Sequence, residues 1–195
     1  MYIWKKINHR DLKNIGNHSS DGFNSDIWIG KIKKKISKSI FLYRKKKFME
    51  YYISSTPIPW ILLNEKKKKI RILDFGSGFQ EVFFQLINCK NTKNITIDSI
   101  EKENVCYELN KEKFFKNKDI KINFFEKINF NMRYDYVHIS DSLQYILDWK
   151  RILIKICKKK PKFIILNNLT AGDFKTYYTQ QNFYKDKLVY IFFNL

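Results

Sequence analysis

The chain of 195 residues has a single alanine, Ala171, only three prolines and six glycines, three cysteines, and five arginines. Each scarcity excludes something. Cys89, Cys106 and Cys157 are widely spaced and odd in number. They exclude a disulfide scaffold and a CxxC-type metal site, and fit a reducing cytoplasm. No metal site is expected. No run of about 18 apolar residues occurs, so no membrane-spanning helix is expected. The first ten residues hold Trp4, Lys5, Lys6 and Asn8 but no apolar h-region, so no secretory signal is visible. Acids are few, 19 against 38 basic residues, leaving a formal charge of +19. That charge invites a nucleic-acid reading. The near-absence of arginine argues against it, because bidentate phosphate and base recognition favours Arg. With 28 isoleucines beside one alanine, the composition fits AT-rich codon drift, and most of the lysine reads as solvated surface. What is present is apolar: 44% hydrophobic and 17% aromatic, enough for one domain with a sizeable core.

The charge divides near residue 69. Residues 1–69 carry 17 Lys/Arg against 5 Asp/Glu, and residues 70–195 carry 21 against 14. The first part is a basic helical segment. Its pattern predicts a helix from Asp26 to Tyr51, capped by Ser25 or Asp26. Ile29, Ile32, Ile36 and Ile40 recur at helical spacing, joined by Tyr43 and Phe48. Such a helix could lie on anionic lipid. Covering a sheet with its lysines in water is the commoner arrangement. The prolines of Ser54–Pro59 break any helix there, and Trp60–Asn64 is a short apolar segment.

From residue 70 strands and helices alternate. Strands are expected at Ile70–Leu73, Asn94–Ile97, Lys121–Phe125, Tyr134–Ile139 and Phe163–Leu166. Helices are expected at Glu81–Ile87, Glu101–Lys116 and Ser142–Lys158. This order predicts an α/β fold: a doubly wound, mostly parallel sheet with helices on both faces. Residues 175–180 and 187–194 read as two further strands, a short carboxyl-terminal hairpin. Phe192 and Phe193 are expected to end it as an unprotected apolar edge, which a second copy or another chain would cover.

The segment Arg71-Ile-Leu-Asp-Phe-Gly-Ser-Gly-Phe79 carries the chemistry: a strand, an acid at its end, Gly-x-Gly, then a helix. The glycines allow a tight turn and close approach of a ligand to the backbone. A dinucleotide site wants a small residue where Glu81 stands, and a phosphate loop wants Gly-Lys-Ser/Thr, which is missing. An acid in the turn suits a cationic ligand, such as S-adenosylmethionine with its ammonium and sulfonium. Asp74 would anchor the ammonium. Asp98, 24 residues on, reads as the end of the next strand, solvent-reachable and at ribose distance.

These residues, with Tyr134-Asp-Tyr-Val-His-Ile-Ser-Asp-Ser-Leu-Gln-Tyr145, resemble class I S-adenosylmethionine-dependent methyltransferases. More narrowly, they are similar to a bacterial methyltransferase family associated with surface-polysaccharide gene clusters. Ser140, Leu143, Gln144, Tyr145 and Asp148 match its fourth-strand motif, and Asp141 departs from the usual Ser. Gln180 or Gln181 and Tyr190 can be placed on its tail. Asn167-Asn-Leu-Thr170 replaces its Asp-Arg-Thr-Pro. The resemblance implies a methyltransferase-like Rossmann domain over 70–195 that binds S-adenosylmethionine. Asp74, Phe75, Gly76, Ser77, Gly78 and Phe79 would line the methionine moiety, Asp98 the ribose, Phe125 and Glu126 the adenine. Ser140 and Asp141 would close the site beside the methyl group, and Gln144 and Tyr145 would reach substrate. In the resembling family further chain follows, so this chain reads either as a truncated or split version or as one whose tail stands in for the missing edge. A small-molecule or sugar-precursor acceptor is the leading expectation. A non-catalytic binding protein, or an RNA methyltransferase using the basic segment, are the alternatives. His138 reads as a lone structural strand histidine, His9 and His18 have no partner that spacing identifies, and no general base is named.

Overall fold

A computed structural model describes residues 4–12, 21–47, 56–89, 94–116, 119–184 and 186–194. Five strands form an all-parallel sheet: β2 (Ile70–Phe75), β3 (Ile95–Ile100), β4 (Ile120–Phe125), β5 (Tyr136–Ser140) and β6 (Phe163–Asn167). Their spatial order is β4-β3-β2-β5-β6. The order reverses between β2 and β5, which opens a crevice at the carboxyl ends of those two neighbours.

Alternation along the strands sends residues to two cores. On one face Ile72, Ile97 and Tyr136 pack with Ile32, Ile36 and Ile40 of α1 (Asp26–Arg44), with Val82, Phe83 and Phe84 of α3 (Glu81–Leu86), and with Val105 and Leu109 of α4 (Glu103–Lys111). On the other, Leu73, Val137 and Ile139 pack with Ile156 of α5 (Trp149–Lys158) and with Ile191 and Phe193. The sheet is thus α/β and doubly wound, with helices on both faces. A short helix, α2 (Ile58–Leu63), precedes the sheet with Pro59 in its first turn.

The isoleucine stripe explains α1. Ser25 caps it, its side chain accepting from Trp28 N at 3.3 Å. Ile32, Ile36 and Ile40 are buried while Lys33, Lys34 and Lys38 stay exposed. Each buried isoleucine contributes about 2 kcal/mol of apolar burial. The described helix ends at Arg44, so the expected extension through Phe48 to Tyr51 lies outside the described residues, as does His18.

Several boundaries differ from expectation. β3 runs to Ile100, so Asp98 is third from its end. The expected helix 101–116 starts only at Glu103 and gives way to a 3-10 turn, Lys113–Phe115. The expected helix 142–158 is broken: a 3-10 turn at Leu143–Tyr145, an extended Ile146, then α5. Asp141, at φ +48°, turns the chain sharply before it.

The amino-terminal residues supply a strand that local pattern does not reveal. β1 (Trp4–Ile7) pairs antiparallel with β8 (Tyr177–Phe183), which pairs with β9 (Asp186–Asn194). β9 also pairs with the two-residue β7 (Ala171–Gly172), giving a second sheet of order β1-β8-β9-β7. Phe192 and Phe193 therefore form no bare edge. β9 is an inner strand and Phe193 is buried against Trp149. Apolar exposure falls instead on β6, at Phe163 and Leu166.

Candidate cofactor site

The turn after β2 is built around two glycines with positive φ, Gly76 at +66° and Gly78 at +47°. The need for glycine differs at the two positions. A Cβ on Gly76 would sit 2.4 Å from Ser142 Cβ, whose hydroxyl donates to Phe75 O at 3.0 Å. The loop after β5 therefore already occupies the space beside Gly76. A Cβ on Gly78 would meet only Trp28 at 3.7 Å, so there the backbone conformation alone demands glycine.

The acid that faces this turn is Glu101, which the sequence reading passed over. It directly follows β3, and Glu101 Oε1 accepts from the Gly78 amide and, at 3.1 Å, from the Ser77 hydroxyl. Ser77 Oγ lies 2.7 Å from Ser99 Oγ and accepts from Gln80 Nε2 at 2.7 Å. Burial, aided by the charge of Asp74, pushes the Glu101 carboxyl up to about 7, against the Gly78 and Ser77 donors that lower it. A signal for Glu101 was present. Ile100 follows Asp98 and Ser99 with strand alternation intact, and β2 and β3 run in register for six residues, Ile70↔Ile95 to Phe75↔Ile100. The residue beside Gly76 is then Glu101.

Asp98 belongs to the opposite face, away from the solvent-reachable position expected of it. It is buried, 1% exposed, not solvent-reachable. Its carboxylate accepts from Arg71 Nε at 2.8 Å and from Asn123 Nδ2 at 2.8 Å. A buried carboxylate needs such donors, and these hold β2, β3 and β4 together across the sheet. Asp98→Ala is expected to destabilise the fold by about 2–3 kcal/mol, because it leaves Arg71 and Asn123 without their acceptor. Thermal unfolding checks this; an unchanged melting temperature would show that the trio is not structural.

Asp74 is also 1% exposed, on the same face as Glu101. β2 and β5 pair Asp74 with His138, and Asp74 Oδ1 lies 2.8 Å from His138 Nδ1. The strand histidine is therefore not alone. Four buried side-chain atoms in this region have no hydrogen-bond partner among the described residues: Asp74 Oδ2, His138 Nε2, Gln80 Oε1 and Gln144 Oε1. Unsatisfied buried polar groups are rare in folded proteins, so these four call for an explanation. Gln80, buried and left-handed at φ 59°, is a further residue that sequence reasoning missed.

The remaining expected residues fall on two sides. Phe125 ends β4 with its ring exposed, its carbonyl accepting from Glu101 N at 2.9 Å, and exposed Glu126 follows it. Ser140 ends β5 half-buried, and Asp141 N donates to Asn167 O at 3.0 Å. Gln144 Nε2 donates to Asp141 Oδ1, and burial with the nearby charge of Glu81 raises the Asp141 carboxyl above its usual range. Phe75 turns away from the turn and packs on the far core. Phe79 packs under α1, its ring 5.5 Å from Trp28 and 3.8 Å from Lys35 Nζ.

The two sheets meet through aromatic rings near this crevice. Phe23 contacts Trp28, Tyr145 and Phe183, and Trp28 reaches from α1 to both Phe79 and Phe183. Tyr145 donates to Gln181 Oε1 at 3.2 Å and packs edge-on to Tyr190, so Gln181 rather than Gln180 partners Tyr145. Burial and the charge of Asp141 raise the Tyr145 hydroxyl above its usual range. The basic segment thus contributes Phe23 and Trp28 to the neighbourhood of the Gly turn.

No protein-family model matches the chain, and no curated protein does. Among solved structures, the chain is similar to the plantazolicin methyltransferase BpumL in complex with a pentazolic desmethylPZN analog and SAH. Identity there is 19% and the TM-score 0.41, over 76% of this chain and 57% of that one. It is similar to PigF with SAH at 12% identity and TM-score 0.41, over 84% of this chain and 52% of that one. A third is an S-adenosylmethionine-dependent methyltransferase from Clostridium acetobutylicum ATCC 824, at 17% identity and TM-score 0.37, over 80% and 73%. The chain spans little more than half the length of the first two.

Proposed function

We propose that this chain binds S-adenosylmethionine and transfers its methyl group to a small-molecule or sugar-precursor acceptor. The observation that carries the reading is the sign of charge at the Gly turn. A turn built for phosphate leaves its amides free for an anion. Here Glu101 accepts from the Gly78 amide, and Asp74 lies buried on the same face. Two carboxylates repel a pyrophosphate and suit a ligand with an ammonium, a sulfonium and ribose hydroxyls.

The residues fit that ligand in order. Asp74, whose Oδ2 has no partner among the described residues, and the Gly76–Ser77–Gly78 backbone would hold the methionyl end. Glu101 takes the ribose role first given to Asp98. The exposed Phe125 ring and Glu126 would flank the adenine, and Ser140 and Asp141 the methyl group. Gln144 and Tyr145, with Gln181, offer amide and hydroxyl groups that suit a hydroxylated acceptor. When bound, the cofactor supplies a methyl group already activated on sulfur. The chain's task is alignment and exclusion of water, which can supply most of the acceleration. The aromatic group of Phe23, Trp28 and Phe183 serves the second.

The RNA reading gains little, since two lysines of α1 are tied to carboxylates, Lys33 to Glu108 and Lys35 to Glu81. A cytoplasmic setting is supported by the odd number and wide spacing of the three cysteines. A second copy seated on the β6 edge would cover Phe163 and Leu166.

Calorimetric titration with S-adenosylhomocysteine tests the cofactor reading through two variants. Glu101→Ala is expected to weaken binding by about 1–3 kcal/mol, the scale for hydrogen bonds to a charged group. Asp98→Ala, once corrected for any unfolded fraction, should bind as the parent does. The reverse ranking would return the ribose role to Asp98.

A further inference from the structure

We propose that His138 is the positioning residue for the amino-acid end of the ligand: its Nδ1–H fixes Asp74 so that Oδ2 is kept for the ligand's ammonium. The inference rests on the adenosyl-ligand reading and goes beyond it, because His138 would touch no ligand atom.

The geometry starts from two adjacent parallel strands in register, Asp74 opposite His138 on one face. Both side chains are almost fully enclosed, 1% and 2% exposed, and their contact is 2.8 Å. A carboxylate can only accept, so Nδ1 carries the proton and donates. The bond uses Asp74 Oδ1 and leaves Oδ2 without a partner among the described residues. In a chain with 38 basic residues, no Lys or Arg pairs with Asp74 among the described residues; its ion partner is His138. Arg71 pairs with Asp98 on the opposite face, and Lys35 pairs with Glu81. Among the described residues this buried carboxylate thus has no permanent cation beside it, although such a partner would stabilise it. What it supplies is a single, directional donor on a rigid strand. That arrangement orients the carboxylate and preserves its second oxygen for a cation that arrives from outside. Glu101, on the same face, adds negative charge without donating to Asp74, so it reinforces the preference for a cation.

Two variants separate positioning from packing. His138→Asn keeps an amide N–H close to where Nδ1–H stands, and His138→Gln moves it a bond further out, away from Asp74 Oδ1. Both keep a polar side chain on the strand. Two probes divide the ligand: S-adenosylhomocysteine carries the ammonium, and 5′-methylthioadenosine keeps the adenosyl part without it. His138→Gln is expected to weaken S-adenosylhomocysteine about tenfold or more while leaving methylthioadenosine unchanged. His138→Asn should recover most of the loss, and Asp74→Asn should reproduce it. Equal weakening of both probes, or no change in either, would overturn the positioning role. If the unaltered protein binds methylthioadenosine but His138→Gln discriminates nothing, only this proposal fails. If the unaltered protein binds neither probe, the adenosyl reading fails and the proposal with it.

Discussion

Ile36→Asp is expected to lower stability by about 4 kcal/mol, near the upper end for a single substitution. Ile36 is 4% exposed on α1 and packs in the same cluster as Ile72 of β2 and Ile97 of β3. The substitution removes a branched apolar side chain and asks an unpaired carboxylate to enter the core. For a domain of this size the melting temperature should fall by roughly 10 °C. Ile36→Val, which removes one methyl group, should cost only about 1 kcal/mol. If α1 instead lay on lipid, Ile36→Asp would leave the melting temperature in solution unchanged and reduce sedimentation with anionic vesicles.

Gly76→Ala is expected to cost about 3 kcal/mol and to abolish ligand binding. Two separate penalties add. A side chain at φ +66° costs about 1–2 kcal/mol, and the new Cβ would lie 2.4 Å from Ser142 Cβ. The sequence alone suggested that a side chain here would block the ligand. The nearer obstacle is the loop after β5, so the loss of binding follows from displacing Ser142 and, with it, Ser140 and Asp141. Ser142→Gly separates the two penalties. Combined with Gly76→Ala it should restore the clash portion, about 1–2 kcal/mol, and leave the backbone strain. Strict additivity of the two changes would mean that Ser142 gives way freely.

What the sequence made legible was local. The apolar runs of β2 to β6 alternate with helix-patterned segments, and this order is enough for a doubly wound parallel sheet. The isoleucine stripe of α1 is likewise a short-range pattern with one inner face. What it hid was non-local. β1 is four residues with little burial, and only its pairing with β8 makes it a strand. The contacts of Phe23 with Tyr145 and Phe183 join residues far apart in the chain. The carboxylates show the same limit at finer grain. Asp98 and Glu101 are three residues apart, on opposite faces of one strand and its end. A strand end placed at Asp98 puts the wrong acid beside the Gly turn, and the register with β2 shows Glu101 there instead. Likewise His138 looks idle along the chain and finds Asp74 only across the sheet.

The most direct test is the affinity for S-adenosylhomocysteine at pH 6 and pH 8, measured by calorimetry on the unaltered protein and on Glu101→Gln. The Glu101 carboxyl is raised to about 7, so the acid form prevails at pH 6 and the carboxylate at pH 8. Ribose hydroxyls donate best to the carboxylate, so binding draws the proton off. Affinity should therefore rise with pH through 7, by up to about tenfold, and level off above it. Glu101→Gln should bind more weakly and lose the pH dependence. Saturable binding with that rise is the predicted result. No binding at either pH, or an affinity that ignores both pH and the substitution, would contradict an adenosyl site at the Gly76–Gly78 turn.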